Sequence, residues 1–266
     1  SLTVTNAGGS DTATETVRVG AVDVAYFIAA AALAEGAEGS FFQTDVDINA
    51  SSDATYSFWW LPRGADNSSP TMSDPVSIAA GESVRVENVL ETVFGATAPA
   101  IGALAVVADA ADMKIMSRTY NVPTAKVSGT FGQAIPGIPA SDLIMQDDVQ
   151  RITFMSENDD LRANLGCVNG VNFGIRIMID LYGNDGTLFE STFMDLGPWS
   201  NNQLNQVFGD YAPTNGYADV KSSSSGAAFY CYGSVVDNGS NDPTTVRPAI
   251  SSDAMIYYVS AAALAE

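Results

Sequence analysis

Short stretches in which large apolar residues alternate with small or polar ones recur along most of the chain. The runs Tyr56–Trp60 and Phe173–Asp180 both show this alternation. A period of two is typical of a β-strand with one buried face. Further strand-like runs are Phe41–Ile48, Val84–Val89, Gly102–Val107, Lys114–Tyr120, Gly186–Phe193, Tyr217–Val220 and Ala227–Val236. Turn-forming residues separate these runs, which indicates a protein of many short strands.

Helical patterns are scarce by comparison. The alanine-rich segment Ala29–Glu35 and a turn at Asn88–Phe94 are the short pieces for which we expect a helix. The longest apolar run, Val24–Ala34, is shorter than the ~18 to 20 residues that a membrane-spanning helix needs. The pattern therefore predicts an all-β fold with very little helix and no membrane insertion.

A long-range repeat links the two ends of the chain. The segment Tyr26–Glu35 returns as Tyr257–Glu266, with identical or similar residues at nearly every position. This duplication predicts a tandem array, in which residues 251–266 begin the next copy and residues 21–40 connect copies. We also expect the chain to be part of a longer protein, since it opens with Ser1.

A weaker repeat divides the unit in half. Leu90–Gly95 matches Leu204–Gly209, and the residues on either side match at similar offsets. Repeated short strands with turns between them suit β-sandwiches of about 100 residues. We predict two homologous Ig-like or jelly-roll-type β-sandwich domains in tandem, at residues 41–148 and 149–250.

Composition narrows the chemistry of the chain. Its 266 residues carry a formal net charge of −20 and include no histidine. Without histidine there is no Ser-His-Asp or Cys-His nucleophilic site and no His-ligated metal centre. The acidity argues against nucleic acid and anionic membranes as partners, because both attract basic faces. Carboxylates are too abundant for a glycosidase-type pair to stand out, and we expect no enzyme activity.

Two resemblances to known families place the chain outside the cell. Residues 1–20, with Leu2-Thr-Val-Thr-Asn-Ala-Gly-Gly and an alternating Thr/Val run, resemble the last strands of a PKD-type (Ig-like) domain. Most of residues 24–250 resembles a two-part β-sandwich repeat of unassigned function in secreted bacterial proteins. That second resemblance rests on Gly39–Asn49, Leu61–Gly64, Met116–Asn121, Thr130–Gln133, Arg162–Gly166, Ser234–Asn238 and Asp242–Thr244. It implies an extracellular or cell-surface location and modular use, and it brings no catalytic residue.

The two cysteines are candidates for a disulfide. Cys167 and Cys231 lie in strand-like runs, and two buried free thiols are the alternative. We favour the disulfide because the resemblances indicate an oxidising, extracellular setting. The weaker repeat aligns Asp47 and Ile115 with the cysteines, so the bridge is expected in the second half alone.

The adjacent Trp59 and Trp60 point to opposite faces of a predicted strand. The weaker repeat aligns Trp60 with the apolar side of the partner strand and Trp59 with Met178 on its polar side. We therefore expect Trp59 and Met178 on outer faces. An outward tryptophan stacks on a sugar, as in carbohydrate-binding modules, or contacts a neighbouring domain or repeat.

One loop concentrates oxygen ligands of the kind that calcium prefers. If calcium binds, we expect the ligands to be Asp237, Asn238, Asn241 and Asp242. The same residue types also form turns without any metal, through hydrogen bonds to their own backbone. The sequence leaves both interpretations open.

These observations predict a non-catalytic module from a tandem-repeat bacterial surface or secreted protein, serving as spacer, stalk, filament component or adhesin. Its expected partners are neighbouring repeats of the same or identical chains, and no cofactor is required apart from an optional calcium ion. The alternative is a carbohydrate-binding accessory module of a secreted hydrolase, with Trp59 as its platform and an extracellular glycan as its partner. A hydrolase working through carboxylates alone would need a cleft that holds two acids.

Overall fold

A computed structural model of the chain describes residues 4–6, 9–11, 24–36, 39–110, 112–123 and 129–248. The strands are β1 (Val4–Asn6), β2 (Gly9–Asp11), β3 (Val24–Glu35), β4 (Phe41–Ala50), β5 (Ala54–Pro62), β6 (Thr71–Met72), β7 (Val76–Ile78), β8 (Ser83–Val86), β9 (Ala100–Ala108), β10 (Met113–Asn121), β11 (Gly132–Pro136), β12 (Ile138–Pro139), β13 (Ile144–Met145), β14 (Val149–Met155), β15 (Leu161–Asn169), β16 (Ile175–Tyr182), β17 (Leu188–Leu196), β18 (Asn201–Leu204), β19 (Gly216–Lys221), β20 (Ala228–Asp237) and β21 (Pro243–Val246). The helical elements are α1 (Val89–Phe94) and 3-10 turns at Ala140–Asp142 and Gly209–Tyr211.

Besides the β1–β2 hairpin, the strands form three antiparallel sheets of ten, five and four strands. The ten-stranded sheet contains β3 to β12, the five-stranded sheet contains β13, β15, β18, β20 and β21, and the four-stranded sheet contains β14, β16, β17 and β19. This architecture confirms the predicted all-β fold with very little helix. Over the residues that the structure describes, no helix has the length and apolarity that crossing a bilayer requires.

Two apolar cores define two parts of the molecule. The first core is built mainly from β3 to β12, and we call residues 24–139 the first lobe. The second core is built from β13 to β21, and we call residues 144–246 the second lobe. In β16, every second residue, including Ile175, Ile177 and Ile179, is buried in this second core. The period of two in the sequence thus sets which side chains enter the core.

The order of strand pairing is the same in both lobes. In the first lobe β3 pairs with β9 and β9 with β5, while β11, β10, β4 and β8 pair in that order. In the second lobe β14, β19, β16 and β17 pair in order, and so do β21, β20, β15 and β18. In this order β3, β9 and β5 correspond to β14, β19 and β16, and β11, β10, β4 and β8 correspond to β21, β20, β15 and β18, whereas the two-residue strands β12 and β13 pair differently, with β3 and β20.

Strand β3 corrects the prediction of a short alanine-rich helix at Ala29–Glu35, while the role of residues 21–40 as a connector between copies stays a prediction. Val24–Glu35 is a strand of twelve residues that pairs with β9, β4 and β12. Ile28 and Ala31 are almost fully buried in the first core. Small side chains here let other strands approach from both sides, and this packing outweighs the helix propensity of alanine.

Other predicted elements are placed as expected or fall outside the description. The helical turn at Asn88–Phe94 is confirmed as α1, which ends at Gly95 with a positive φ of 60°. Within the predicted PKD-like segment, Val4–Asn6 pairs with Gly9–Asp11 as a hairpin. The rest of that segment and the predicted start of a further copy at 251–266 lie outside the described residues.

Candidate functional site

The second lobe covers one outer face of the first lobe. Trp59, on the outer side of β5, contacts Trp199, which lies between β17 and β18, with ring centroids 5.3 Å apart. Strand β3 also contacts β15 and β20, and β9 contacts β18. The outer side of β5, where Trp59 lies, is thus covered by the second lobe.

The second lobe supplies the covering surface from the five-stranded sheet. Along β15 and β20, Cys167 and Cys231 point into the second core, whereas Val168, Tyr230 and Tyr232 join the first core. Both faces of this sheet are therefore buried, one on its own core and one on the neighbouring lobe. Such double burial produces continuous buried runs like that of β20, in place of alternation.

Hydrogen bonds fix the position of the lobes relative to each other. The buried Asn201 side chain donates to the carbonyl oxygen of Ala29 at 3.2 Å. The Asn67 amide donates to the carbonyl oxygen of Trp199, and the backbone N–H of Gly64 donates to the carbonyl oxygen of Asn201. These bonds satisfy polar groups that the contact removes from water.

A disulfide joins the two longest strands of the five-stranded sheet, as predicted. Cys167 and Cys231 are register partners in β15 and β20, and both side chains are fully buried. In the first lobe the corresponding inward pair is Ile48 and Ile115, which face each other in β4 and β10. Asp47, which the weaker sequence repeat aligns with Cys167, lies on the outer side of β4 and does not point into the first core.

Among the residues that the structure describes, no element covers the equivalent outer face of the second lobe. It lies on β14, β19, β16 and β17, and it includes the predicted contact residue Met178 at its centre. We call this surface the β16 face: Val149, Arg151, Arg176, Met178, Asp180, Tyr182, Phe193, Asp195, Tyr217, Asp219 and Lys221. One row across it runs Val149, Lys221, Met178, Phe193 through successive register pairs. Val149 and Phe193 are about half exposed, at 52% and 50%.

Ion pairs neutralise the charges of the β16 face locally. Arg151 binds Asp219 with two hydrogen bonds, and Arg176 binds Asp195 in the same way. The Arg176 guanidinium lowers the pKa of Asp195. These fork-shaped pairs position the guanidinium groups over neighbouring rings.

Aromatic rings stack beneath those guanidinium groups. The guanidinium carbon of Arg151 lies 4.2 Å from the centre of the Tyr217 ring, and that of Arg176 lies 4.1 Å from the centre of the Phe193 ring. Tyr182 and Tyr217 are stacked with 4.7 Å between their centroids. Such cation–π and stacking contacts keep large side chains ordered on an exposed sheet.

Among the described residues, the first lobe also leaves a sheet face exposed, on β8, β4, β10 and β11. These strands correspond in pairing order to β18, β15, β20 and β21 of the second lobe. We call the exposed face the β4 face: Gln43, Asp45, Asp47, Asn49, Ser83, Arg85, Lys114, Met116, Arg118 and Tyr120. Arg85 binds Asp47 through two hydrogen bonds of 2.8 and 2.7 Å, which lower the pKa of Asp47. Met116 is 46% exposed beside this pair. A shallow cavity of about 670 Å³ opens here.

The predicted calcium loop is engaged by an arginine. The Arg162 guanidinium donates to the side-chain oxygens of Asn238 and Asn241 at 2.8 and 3.0 Å. Asp237 accepts from the backbone N–H and the hydroxyl of Ser240, three residues further along the same loop. A calcium ion would have to displace a cation from these oxygens, and calcium binding at Asp237, Asn238, Asn241 and Asp242 stays a prediction. Nowhere in the described ranges do three His, Cys, Asp or Glu side chains form a metal-binding group.

Comparisons with known proteins assign no family. No protein-family model and no protein of known function matches the sequence. The structure has weak likeness to the PBSX exported protein XepA, at 10% identity over 85% of this chain and 89% of that one, with a TM-score of 0.22. It has similar likeness to a structure of infectious bursal disease virus Gx strain, at 13% identity over 85% and 75%, with a TM-score of 0.19. The chain is an all-β protein of several antiparallel sheets.

Sequence reasoning missed several members of these surfaces. Trp199 is absent from the predicted contacts, although a tryptophan directly after Gly197-Pro198 is an unusual turn residue. The Tyr182–Tyr217 stack joins residues 35 positions apart, and it arises from the register of β16 with β19. Local spacing carries no signal for such a pair.

Proposed function

We propose that the chain is a non-catalytic structural module of an extracellular or cell-surface protein, built from two homologous β-sandwich domains of the Ig-like type. The contact between Trp59 and Trp199 carries this proposal, because the most prominent aromatic candidate serves to join the lobes. The repeated pairing order supports common ancestry of the two lobes. A spacer or stalk benefits from such a fixed angle between its units.

The buried disulfide supports the proposed location. Disulfides persist in oxidising compartments and are rare in the cytosol. The resemblance of the sequence to a secreted bacterial two-part repeat with PKD-like strands agrees with that setting. Neighbouring repeats are the proposed partners, and the module needs no cofactor.

Carbohydrate binding is the second candidate, and the exposed rings of the β16 face favour it. Phe193 is half exposed and lies beside Arg176 and Asp195, which can hydrogen-bond to sugar hydroxyls. The arrangement matches the apolar-plus-polar composition of ligand sites. Trp59, the platform predicted from sequence, is instead only partly exposed in the contact between lobes.

Glycan arrays and polysaccharide pull-downs with the full chain test the two candidates. We expect no binding by the wild type and no hydrolysis of the polysaccharides. The variant Trp59→Ala is expected to lower the unfolding temperature without changing these results. Glycan binding that Phe193→Ala abolishes would establish the second candidate, with Met145→Ala, on an unrelated surface, as the control.

A further inference from the structure

We propose that copies of this chain associate head to tail, with the β16 face of one copy docked on the β4 face of the next. This inference rests on the proposed structural function and names its partner, a second copy of the same unit.

The two lobes already use this kind of contact. The covered face of the first lobe lies on β3, β9 and β5, with the edge strand β11 against β21, and the covering face lies on β21, β20, β15 and β18. By the shared pairing order, the β16 face is the counterpart of the covered face, and the β4 face is the counterpart of the covering face. The β16 face and the β4 face therefore correspond to the two surfaces that meet in the contact between the lobes.

The charge distribution favours these faces for self-association. Each copy has a net charge of −20, so two copies repel each other over most of their surfaces. Six of the eleven lysines and arginines lie on the two open faces, three on each. Their carboxylate partners on the β16 face leave little net charge there. Docking the β16 face on the β4 face therefore brings together less unpaired negative charge than contact between other parts of the surface would.

The exposed side chains have the character of an interface. Aromatic residues, methionine and arginine are enriched where proteins associate. The β16 face presents Met178 and Phe193, and the β4 face presents Met116 beside its cavity. The faces are more polar than the lobe contact, which predicts reversible association. Because each contact uses two different faces, every docked copy still presents one free face to which a further copy can bind.

Sedimentation velocity of the full chain over increasing concentration tests this proposal. We expect wild-type chains to grow from monomers into a series of oligomers. The variant Met178→Glu with Phe193→Glu blocks the β16 face, and Lys114→Glu with Met116→Glu blocks the β4 face. Each variant should weaken association by roughly tenfold or more, in line with losing central interface residues. Met145 is exposed but lies on neither of these faces, so Met145→Glu should associate like the wild type.

Mixing the two blocked variants is the decisive experiment. Each retains one intact face, so an equimolar mixture should form a one-to-one dimer and stop growing. If the variant Lys114→Glu with Met116→Glu self-associates like the wild type, the contact joins two β16 faces and the proposal is wrong. A wild type that stays monomeric at every concentration would also overturn the docking and leave the non-catalytic function standing. Polysaccharide hydrolysis would instead overturn the proposed function.

Discussion

At the scale of single residues, parity along a strand decides the chemistry of each position. Cys167 faces inward and forms a bridge, whereas Val168 beside it faces the other lobe. A shift of one residue moves a side chain to the opposite face. This is why Asp47, which the sequence alignment places with Cys167, forms an ion pair with Arg85 at the surface.

The disulfide is expected to contribute strongly to stability. It closes a loop of 64 residues, for which the chain-entropy model predicts about 4 kcal/mol. The double variant Cys167→Ala with Cys231→Ala should lower the free energy of unfolding by an amount of that order in urea titrations. Reduction of the wild type with dithiothreitol is the matched comparison, and an unchanged unfolding midpoint in both would contradict the prediction.

Glu157 gives a second prediction at this scale, on the pH dependence of stability. Its buried carboxylate accepts the backbone N–H groups of Ala163 and Phe208, and burial raises its pKa. The unfolded chain therefore ionises this group at lower pH than the folded chain does. Its contribution to stability is fully present at acid pH and is lost as pH rises through the raised pKa.

Glu157→Gln removes that titration and retains an oxygen acceptor for the N–H groups. Relative to the wild type, the variant should become more stable as pH rises from acid to neutral, measured by thermal unfolding at each pH. Glu190→Gln, at an exposed glutamate of β17, is the control. A constant difference between wild type and Glu157→Gln across this range would disprove the assignment.

At the scale of elements, close approach of strands explains positions that propensity alone does not. Gly166 in β15 lies opposite Tyr232 in β20, and a Cβ at Gly166 would come within 2.5 Å of the tyrosine ring. The fully buried Tyr232 donates its hydroxyl to Gln203, and burial raises its pKa to about 12. The missing side chain at Gly166 makes room for this ring.

Gly166→Ala is expected to destabilise the protein by about 1–3 kcal/mol, the usual cost of overpacking. In the background of Tyr232→Ala, the same substitution should cost much less, since the ring that it strikes is gone. Urea unfolding of the two single variants and the double variant measures this coupling. Costs that simply add would show that the two positions are independent.

Strand β3 is a second element in which packing outweighs propensity. Its alanine run fits a helix by propensity and fits a strand by packing, because both of its faces meet other strands. The strands with clear alternation, such as β16 and β10, match the sequence-based expectation closely. Strand β20, which is buried on both faces, was also predicted from its apolar and aromatic run, so the error at β3 comes from the helix propensity of its alanines.

At the scale of the whole molecule, the lobe contact is expected to couple the unfolding of the two lobes. Val168 belongs to a strand of the second lobe, and its side chain is fully buried in the first core. Val168→Lys places a charge in this contact, which is costly without a partner. Calorimetry should show one transition for the wild type and two for the variant.

Val149→Lys, on the open β16 face, is the matched control and should retain the single transition. A single transition for Val168→Lys, shifted to lower temperature, would indicate that the lobes unfold together regardless of this contact. The result bears directly on the module as a spacer, because a coupled pair of lobes resists bending.

The amino-acid sequence alone was enough for the all-β class, the strand positions with one exposed face and the absence of histidine chemistry. Those features depend on local alternation and on composition, which the chain carries residue by residue. The tertiary structure alone decided that β3 is a strand, that Trp59 meets Trp199, that Arg162 engages the Asp237–Asp242 loop, and which faces stay open. These features depend on residues far apart in the chain, whose proximity comes from register and lobe packing.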